Sequence, residues 1–133
     1  LTLTNNKLEL SNVLEGSEIL ELRNIIKEIK IAEPVKEYAL KLILATHPEL
    51  EYGAEIAKKY VEAGAGPRAA QGIIAGAKVR AVMEGRLNVS FEDIKELAYP
   101  VLRHRIILNF DAITEGLNEE DIISKILEDL KVV

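Results

Sequence analysis

The residue of this chain best suited to chemistry is an arginine in the first turn of a helix. The stretch Gly64-Ala65-Gly66-Pro67-Arg68-Ala69-Ala70 reads as a glycine-rich loop running into a helix. Proline favours the first helical position, where its missing N–H costs nothing, so Gly66 is the expected N-cap and Arg68 the second helical residue. The free amides of such a turn and the positive end of the helix dipole attract anions, and a guanidinium adds a planar, bidentate phosphate ligand. This is half of a phosphate site. The chain has no GxxxxGK[ST] loop and no apolar strand ending in an acidic pair to hold Mg²⁺, so the other half is expected from another domain.

Other reactive side chains have simpler explanations. Arg103, His104 and Arg105 stand in a row and could line an anion-facing or neighbour-facing surface, or pair with the chain's own carboxylates. His47, just ahead of Pro48, is placed to interact with carbonyls at a helix end. Glu92 and Asp93 follow Ser90 in a capping-box pattern, which explains two adjacent acids without acid–base catalysis. No nucleophile elbow organises the serines, histidines and aspartates into a hydrolase triad. With no cysteine and only two histidines, disulfides and thiolate metal sites are excluded, and no metal-binding residue is expected.

At 133 residues the chain fits one domain, large enough to bury roughly 68% of the surface its unfolded form would expose. Hydrophobic residues make up 48% and charged residues 29%, an ordinary globular balance. A net charge of −5 argues against a dedicated nucleic-acid binder, which needs a concentrated basic face. The densest apolar run, Tyr38 to Ala45, is interrupted by Lys41 and falls well short of the ~20 residues of a membrane span. A cytoplasmic location is expected, with no membrane partner. The chain begins at Leu1 without a signal-peptide pattern, so it is expected to be a piece of a longer polypeptide.

The elements that must position these residues are mostly helices. Residues 1–16 read as an extended lead-in segment and 17–133 as the helical domain. Ser17 is the expected cap of a first helix with Ile19, Leu22, Ile26 and Ile29 at helical spacing. Pro34 starts a second, whose Val35, Tyr38, Ala39, Leu42, Ile43 and Ala45 cover so much of its circumference that it must be central, and Thr46-His47-Pro48 stops it. Glu49 to Gly66 reads as loop with one helical piece. The helix from Pro67 runs to Glu84 and ends at Gly85, turning a small face (Ala70, Ile73, Ile74, Ala77, Ala81) inward. A helix capped by Ser90, kinked at Pro100, and a last one capped by Asn118 with Asp121 follow. Ile29–Ala32 and Ile106–Leu108 could each form a short strand. The expected fold class is therefore all-α, a helical bundle with a minor two-stranded β pairing.

Three segments together resemble a known family: Gly64-Ala65-Gly66-Pro67-Arg68-Ala69 against G-A-[SG]-P-R-A, Gly85-Arg86 with Val89-Ser90-Phe91-Glu92-Asp93-Ile94, and Val101-Leu102-Arg103-His104-Arg105-Ile106. Over nearly the whole chain this pattern is similar to the C-terminal lid domain of the MoxR family of AAA+ ATPases. The first and third segments are distinctive; the second is a generic helix start. The resemblance implies that Arg68 is the catalytic second-sensor arginine, reaching the γ-phosphate of ATP bound on a preceding αβα core. It further implies that Gly66, Pro67, Arg103 and Arg105 face the nucleotide, that the parent is a hexameric ATPase using ATP with Mg²⁺, and that its role is chaperone-like, beside von Willebrand factor A domain proteins and client complexes. Walker A, Walker B, the first sensor and the arginine finger belong to a core this chain lacks, so hydrolysis by this chain alone is not expected. The Glu49–Ala63 segment is longer than the usual family loop. Two alternatives stay open: the lid of a magnesium-chelatase-type subunit, and a stand-alone helical interaction or nucleic-acid-binding domain with Lys78, Arg80, Arg86, Arg103 and Arg105 as its basic patch.

Overall fold

The computed structural model describes residues 8–132. Among them are helices α1 (Gly16–Lys27), α2 (Glu33–Ala45) and α3 (Glu55–Tyr60), strand β1 (Val61–Ala63), helices α4 (Pro67–Met83) and α5 (Phe91–Leu102), strand β2 (Ile107–Leu108), and helices α6 (Phe110–Thr114) and α7 (Glu119–Asp129). The fold is an all-α bundle with one antiparallel ribbon, Val61 facing Leu108 and Ala63 facing Ile107 across a bulge. Helix α2 is the centre, in contact with α4, α5 and α7. All six apolar residues that its sequence turns inward, Val35 to Ala45, are buried.

Helices α4 and α5 run antiparallel and close together. Gly72 faces Val101, Gly76 faces Leu97, and Arg80 reaches Asp93. On the inward face of α4, Ala70, Ile73, Ala77 and Ala81 are buried, and small side chains let the two backbones approach. Helix α5 continues through Pro100 to Leu102. At the far end of α4, Gly85 takes φ +72, a left-handed value that glycine reaches without Cβ strain. That conformation lets the Gly85 and Arg86 amides donate back to the Val82 and Ala81 carbonyls.

Several local expectations give way. Helix α1 is capped by Glu15, not Ser17: it starts at Gly16, and the Glu18 carboxylate accepts from the Glu15 amide at 2.6 Å. A carboxylate three residues ahead reaches the exposed amide that Ser17 would have left open. Of the 1–16 lead-in, residues 1–7 lie outside the described residues, and 8–15 carry no helix or strand. The stripe on α1 is largely uncovered, with Ile19 48% and Leu22 42% exposed. Ile29–Ala32 does not become a strand. Lys30 alone bridges to Asn88, because the chain must turn at once into α2. The partner of Ile107–Leu108 is instead Val61–Ala63, within the segment read as loop, and α6 is an additional helix capped by Asn109, whose side chain accepts from the Ala112 amide.

Two buried polar residues hold this frame. Asp93 is wholly buried and accepts from both terminal nitrogens of Arg86, at 2.6 and 2.8 Å, and from the Ser90 amide and hydroxyl. Arg86 also pairs with Glu84, as does Arg80, so the acid pins the α4–α5 turn as well as capping α5. The Arg86 guanidinium, more than the Ser90 hydrogen bonds, holds the Asp93 carboxyl down to about 2 against the opposing effect of burial. Thr46, also fully buried, donates its hydroxyl to the Ile43 carbonyl at 2.6 Å and accepts from the Ala65 amide at 3.0 Å, which docks the loop leading to α4 onto the end of α2.

Two outcomes are expected. Asp93→Asn removes the charge that Arg86 requires and should lower stability at neutral pH by roughly 2–4 kcal/mol in urea denaturation. Because the folded carboxyl titrates below the unfolded one, its stabilisation is complete above about pH 4 and is lost as the pH falls toward about 2; the variant's acid-unfolding curve should be flatter in that window. Thr46→Val keeps the side-chain shape but leaves the buried Ala65 N–H without an acceptor, and should cost about 1–3 kcal/mol, read as a lower urea midpoint at unchanged slope.

Candidate functional site

The N-terminus of α4 differs in charge from every other helix start among the described residues. Helices α1, α2, α3, α5, α6 and α7 each carry an acidic residue in the first turn, as the dipole favours. Helix α4 carries none, and no side chain caps it. Gly66 is its N-cap, in an extended conformation (φ −76, ψ 175), and Pro67 opens the first turn. Gly66, Pro67 and Arg68 are all exposed, and a side chain added at Gly66 would meet nothing within 4 Å. Arg68 makes no ion pair and no side-chain hydrogen bond among the described residues. Pro67 has no N–H and the Ala69 amide already donates to the Gly66 carbonyl, so the result is an open, uncompensated positive corner made of the Arg68 amide, the helix dipole and a free guanidinium on one exposed edge.

The antiparallel register extends this corner. Gly72 lies level with Val101 and Gly76 with Leu97, so the start of α4 and the turn after α5 share one end of the bundle. Arg103, His104 and Arg105 occupy that turn, and all three are exposed. Arg103 is engaged locally: it pairs with Glu120 at 3.3 Å, and its Nε donates to the Tyr99 carbonyl at 3.1 Å. Arg105 and His104 have no ion pair among the described residues. The residues brought to this end with Arg68 thus include one arginine tied to α7 and one that is free.

The alternative basic patch does not assemble. Arg80 and Arg86 converge on Asp93 and Glu84, at the end of α4 opposite Arg68, and Arg103 is neutralised by Glu120. Of the five residues that would form it, only Lys78 and Arg105 lack an ion pair among the described residues.

Behind Arg68 the loop is held at close quarters. His47 Nε2 donates to the Ala65 carbonyl at 2.8 Å, and Nδ1 meets the Glu49 carboxylate at 2.7 Å. The Glu49 carboxyl is held below its usual range by its own backbone amide and by His47. A Cβ at Gly64 would sit 2.8 Å from both the His47 ring and the Thr46 carbonyl oxygen, so this approach requires glycine. His47 does interact with a carbonyl, but with that of Ala65, eighteen residues away, rather than with those ending its own helix. Thr46 and His47 were legible only as a helix stop; the signal for more was the glycine two residues before the N-cap, which marks close backbone approach. A groove of about 710 Å³, bordered by Leu40, Leu44, Leu50, Pro67 and Ile74, opens beside this loop.

This corner fits an anionic group such as a nucleotide phosphate. It offers nothing to a divalent cation: among the described residues no cluster of three or more His, Asp or Glu could hold a metal ion. Among the described residues no helix is long and apolar enough to cross a membrane.

Comparison with known proteins gives this corner a context. Residues 53–126, more than half of the chain, match the AAA lid domain family. The chain is 32% identical over 116 residues to the chaperone MoxR1 of Mycobacterium tuberculosis, covering 87% of this chain and 31% of that protein. It is 26% identical to the uncharacterised protein YeaC of Bacillus subtilis, over 92% of this chain and 36% of the other. A crystal structure of a presumed ATPase from Cytophaga hutchinsonii superposes with a TM-score of 0.82 at 40% identity, over 88% of this chain and 36% of that one. The chain thus spans about a third of the length of each of these relatives. By the family match, the sequence identity and the shared fold, the chain belongs to the AAA lid domain family and is a lid of the MoxR type.

Proposed function

We propose that this lid reads the terminal phosphate of ATP bound on a preceding AAA+ core, and that Arg68 is the reading residue. The observation that carries the proposal is the free guanidinium of Arg68 on the one helix start among the described residues that lacks both a side-chain cap and an acid. In the first turn the Arg68 amide donates to no backbone carbonyl among the described residues, and Arg105, at the same end, adds a second cation without an ion pair among them. Arg103 joins them only by leaving Glu120, so its part is the weaker one. Bound ATP with Mg²⁺ supplies the phosphoanhydride chemistry, and the ligands for the metal come from the core, since the described residues offer no carboxylate cluster for it.

Arg68 contacts the γ-phosphate in the triphosphate state and has no such partner in the diphosphate state. That differential contact is what a nucleotide needs to shift the lid between two orientations. Repeated around a homo-hexamer, the shift converts hydrolysis into chaperone-like remodelling or maturation of client complexes, in the cytoplasm and alongside von Willebrand factor A domain proteins. The likeness to a chaperone and to a presumed ATPase supports this reading.

The test is Arg68→Ala in the full-length protein that carries the core. ATP turnover should fall at least about tenfold, equivalent to ~1.4 kcal/mol of barrier, while the thermal midpoint of the lid does not fall, because the side chain is exposed and unpaired among the described residues. Unchanged turnover would refute the assignment.

A further inference from the structure

We propose that His47 is a positioning residue for Arg68, acting through the backbone of Ala65; the functional half of this inference rests on the reading of Arg68 given above. Ala65 lies three residues before Arg68 and is completely buried. Both of its backbone polar groups are held by the end of α2: its amide by the Thr46 hydroxyl at 3.0 Å, its carbonyl by His47 Nε2 at 2.8 Å. The chain from Ala65 into α4 is therefore a strap clamped at one residue, and the clamp sets where the first turn of α4, with its guanidinium, begins.

The two clamping side chains differ in kind. Thr46 is sealed in the core, whereas the His47 side chain is 23% exposed and its partner Glu49 is 61% exposed. Both ring nitrogens lie at hydrogen-bond distance from an oxygen, Nε2 from the Ala65 carbonyl and Nδ1 from the Glu49 carboxylate. Glu49 thereby fixes the ring plane, and Gly64 leaves room for that plane against the strap. A residue needed only to stop α2 would require none of this. Thr46 already caps the helix, and Pro48 follows. Removing the imidazole should loosen the strap from its wet side without opening a cavity in the core.

The first measurement is residue-resolved amide exchange by NMR on this chain. His47→Ala should speed exchange at Ala65 about tenfold or more and leave Ile73 and Ala77, in the middle of α4, unchanged. His47→Gln, which keeps a donor for the Ala65 carbonyl, should restore most of the protection. Glu49→Ala alters only an exposed side chain, so the domain folds, and it should shift Ala65 in the same direction by a smaller factor. Unaltered exchange at Ala65 in both the His47→Ala and Glu49→Ala proteins overturns the clamp; so does equal loss of protection throughout α4, which would mark His47 as a general stabiliser.

The second measurement is a double-mutant cycle on ATP turnover in the full-length protein. His47→Ala should lower kcat/KM about fivefold when Arg68 is present and less than about twofold in an Arg68→Ala background. Equal losses in the two backgrounds overturn the positioning role. If Arg68→Ala alone leaves turnover unchanged, the phosphate reading itself fails, and the exchange result then decides the clamp by itself.

Discussion

Helix α4 meets α5 through positions that carry almost no side chain. Gly72 and Gly76 face Val101 and Leu97, and Ala69, Ile73, Ala77 and Ala81 are fully buried alongside them. Small residues at a helix interface leave few adjustable atoms between two backbones, and close packing of this kind resists sliding and transmits displacement. A slip by one turn would leave a glycine facing only one of Leu97 and Val101, set Arg68 or Arg80 against the other, and pull Arg80 away from Asp93. The register of α4 on α5 is consequently fixed, and with it the position of everything attached to either end.

Charge is sorted along this rigid pair. At the end where α4 passes into α5, cations and anions close on one another. Asp93 sits buried between Arg86, Arg80 and the Ser90 cap, with Glu84 holding both arginines from outside. A buried carboxylate is tolerable only when its lone pairs are filled and its charge is matched, and here both conditions are met. At the opposite end Arg68 and Arg105 are exposed, with no ion pair among the described residues. The first end is electrostatically closed; the second is left unfinished.

Much of this was legible in the residues, wherever a local rule had no competitor. The six inward positions of α2 follow from spacing alone, and Gly66-Pro67, Gly85, Ser90 with Asp93, and Asn118 with Asp121 mark helix ends through backbone chemistry that tertiary contacts do not override. The errors fall where the rule is weak or the partner distant. Ser17 yielded to Glu15 because a carboxylate at Glu18 reaches the earlier amide. Val61–Ala63 was hidden because a three-residue strand has no periodicity of its own, and it exists through pairing with a segment some forty-five residues away. Helix α6 is a single turn whose only mark was Asn109. As for the candidate site, the loop-to-helix start of α4 and the exposure of Arg68 were readable, whereas the clamp was not, since hydrogen bonds from Thr46 and His47 to Ala65 link residues whose proximity only the folded chain creates.

An arginine in the first turn of a helix is unfavourable by roughly 0.3–1 kcal/mol, and the other helices here avoid the arrangement. The domain can carry it because α4 is held by burial along its length and not by its cap, so the cost falls on an exposed edge and nowhere propagates. The sign of that cost depends on what stands opposite. Against water, amides, dipole and guanidinium repel one another; against a phosphate, all three attract it, so the same geometry that is a small defect in the isolated lid becomes a large gain in company. Whether such a gain moves the whole lid or merely rearranges a loop is decided by the stiffness behind Arg68. With Ala65 held by Thr46 and His47 and α4 locked in register on α5, a loop rearrangement would have to break those hydrogen bonds, so on the proposed reading reorientation of the domain as one body is the easier response.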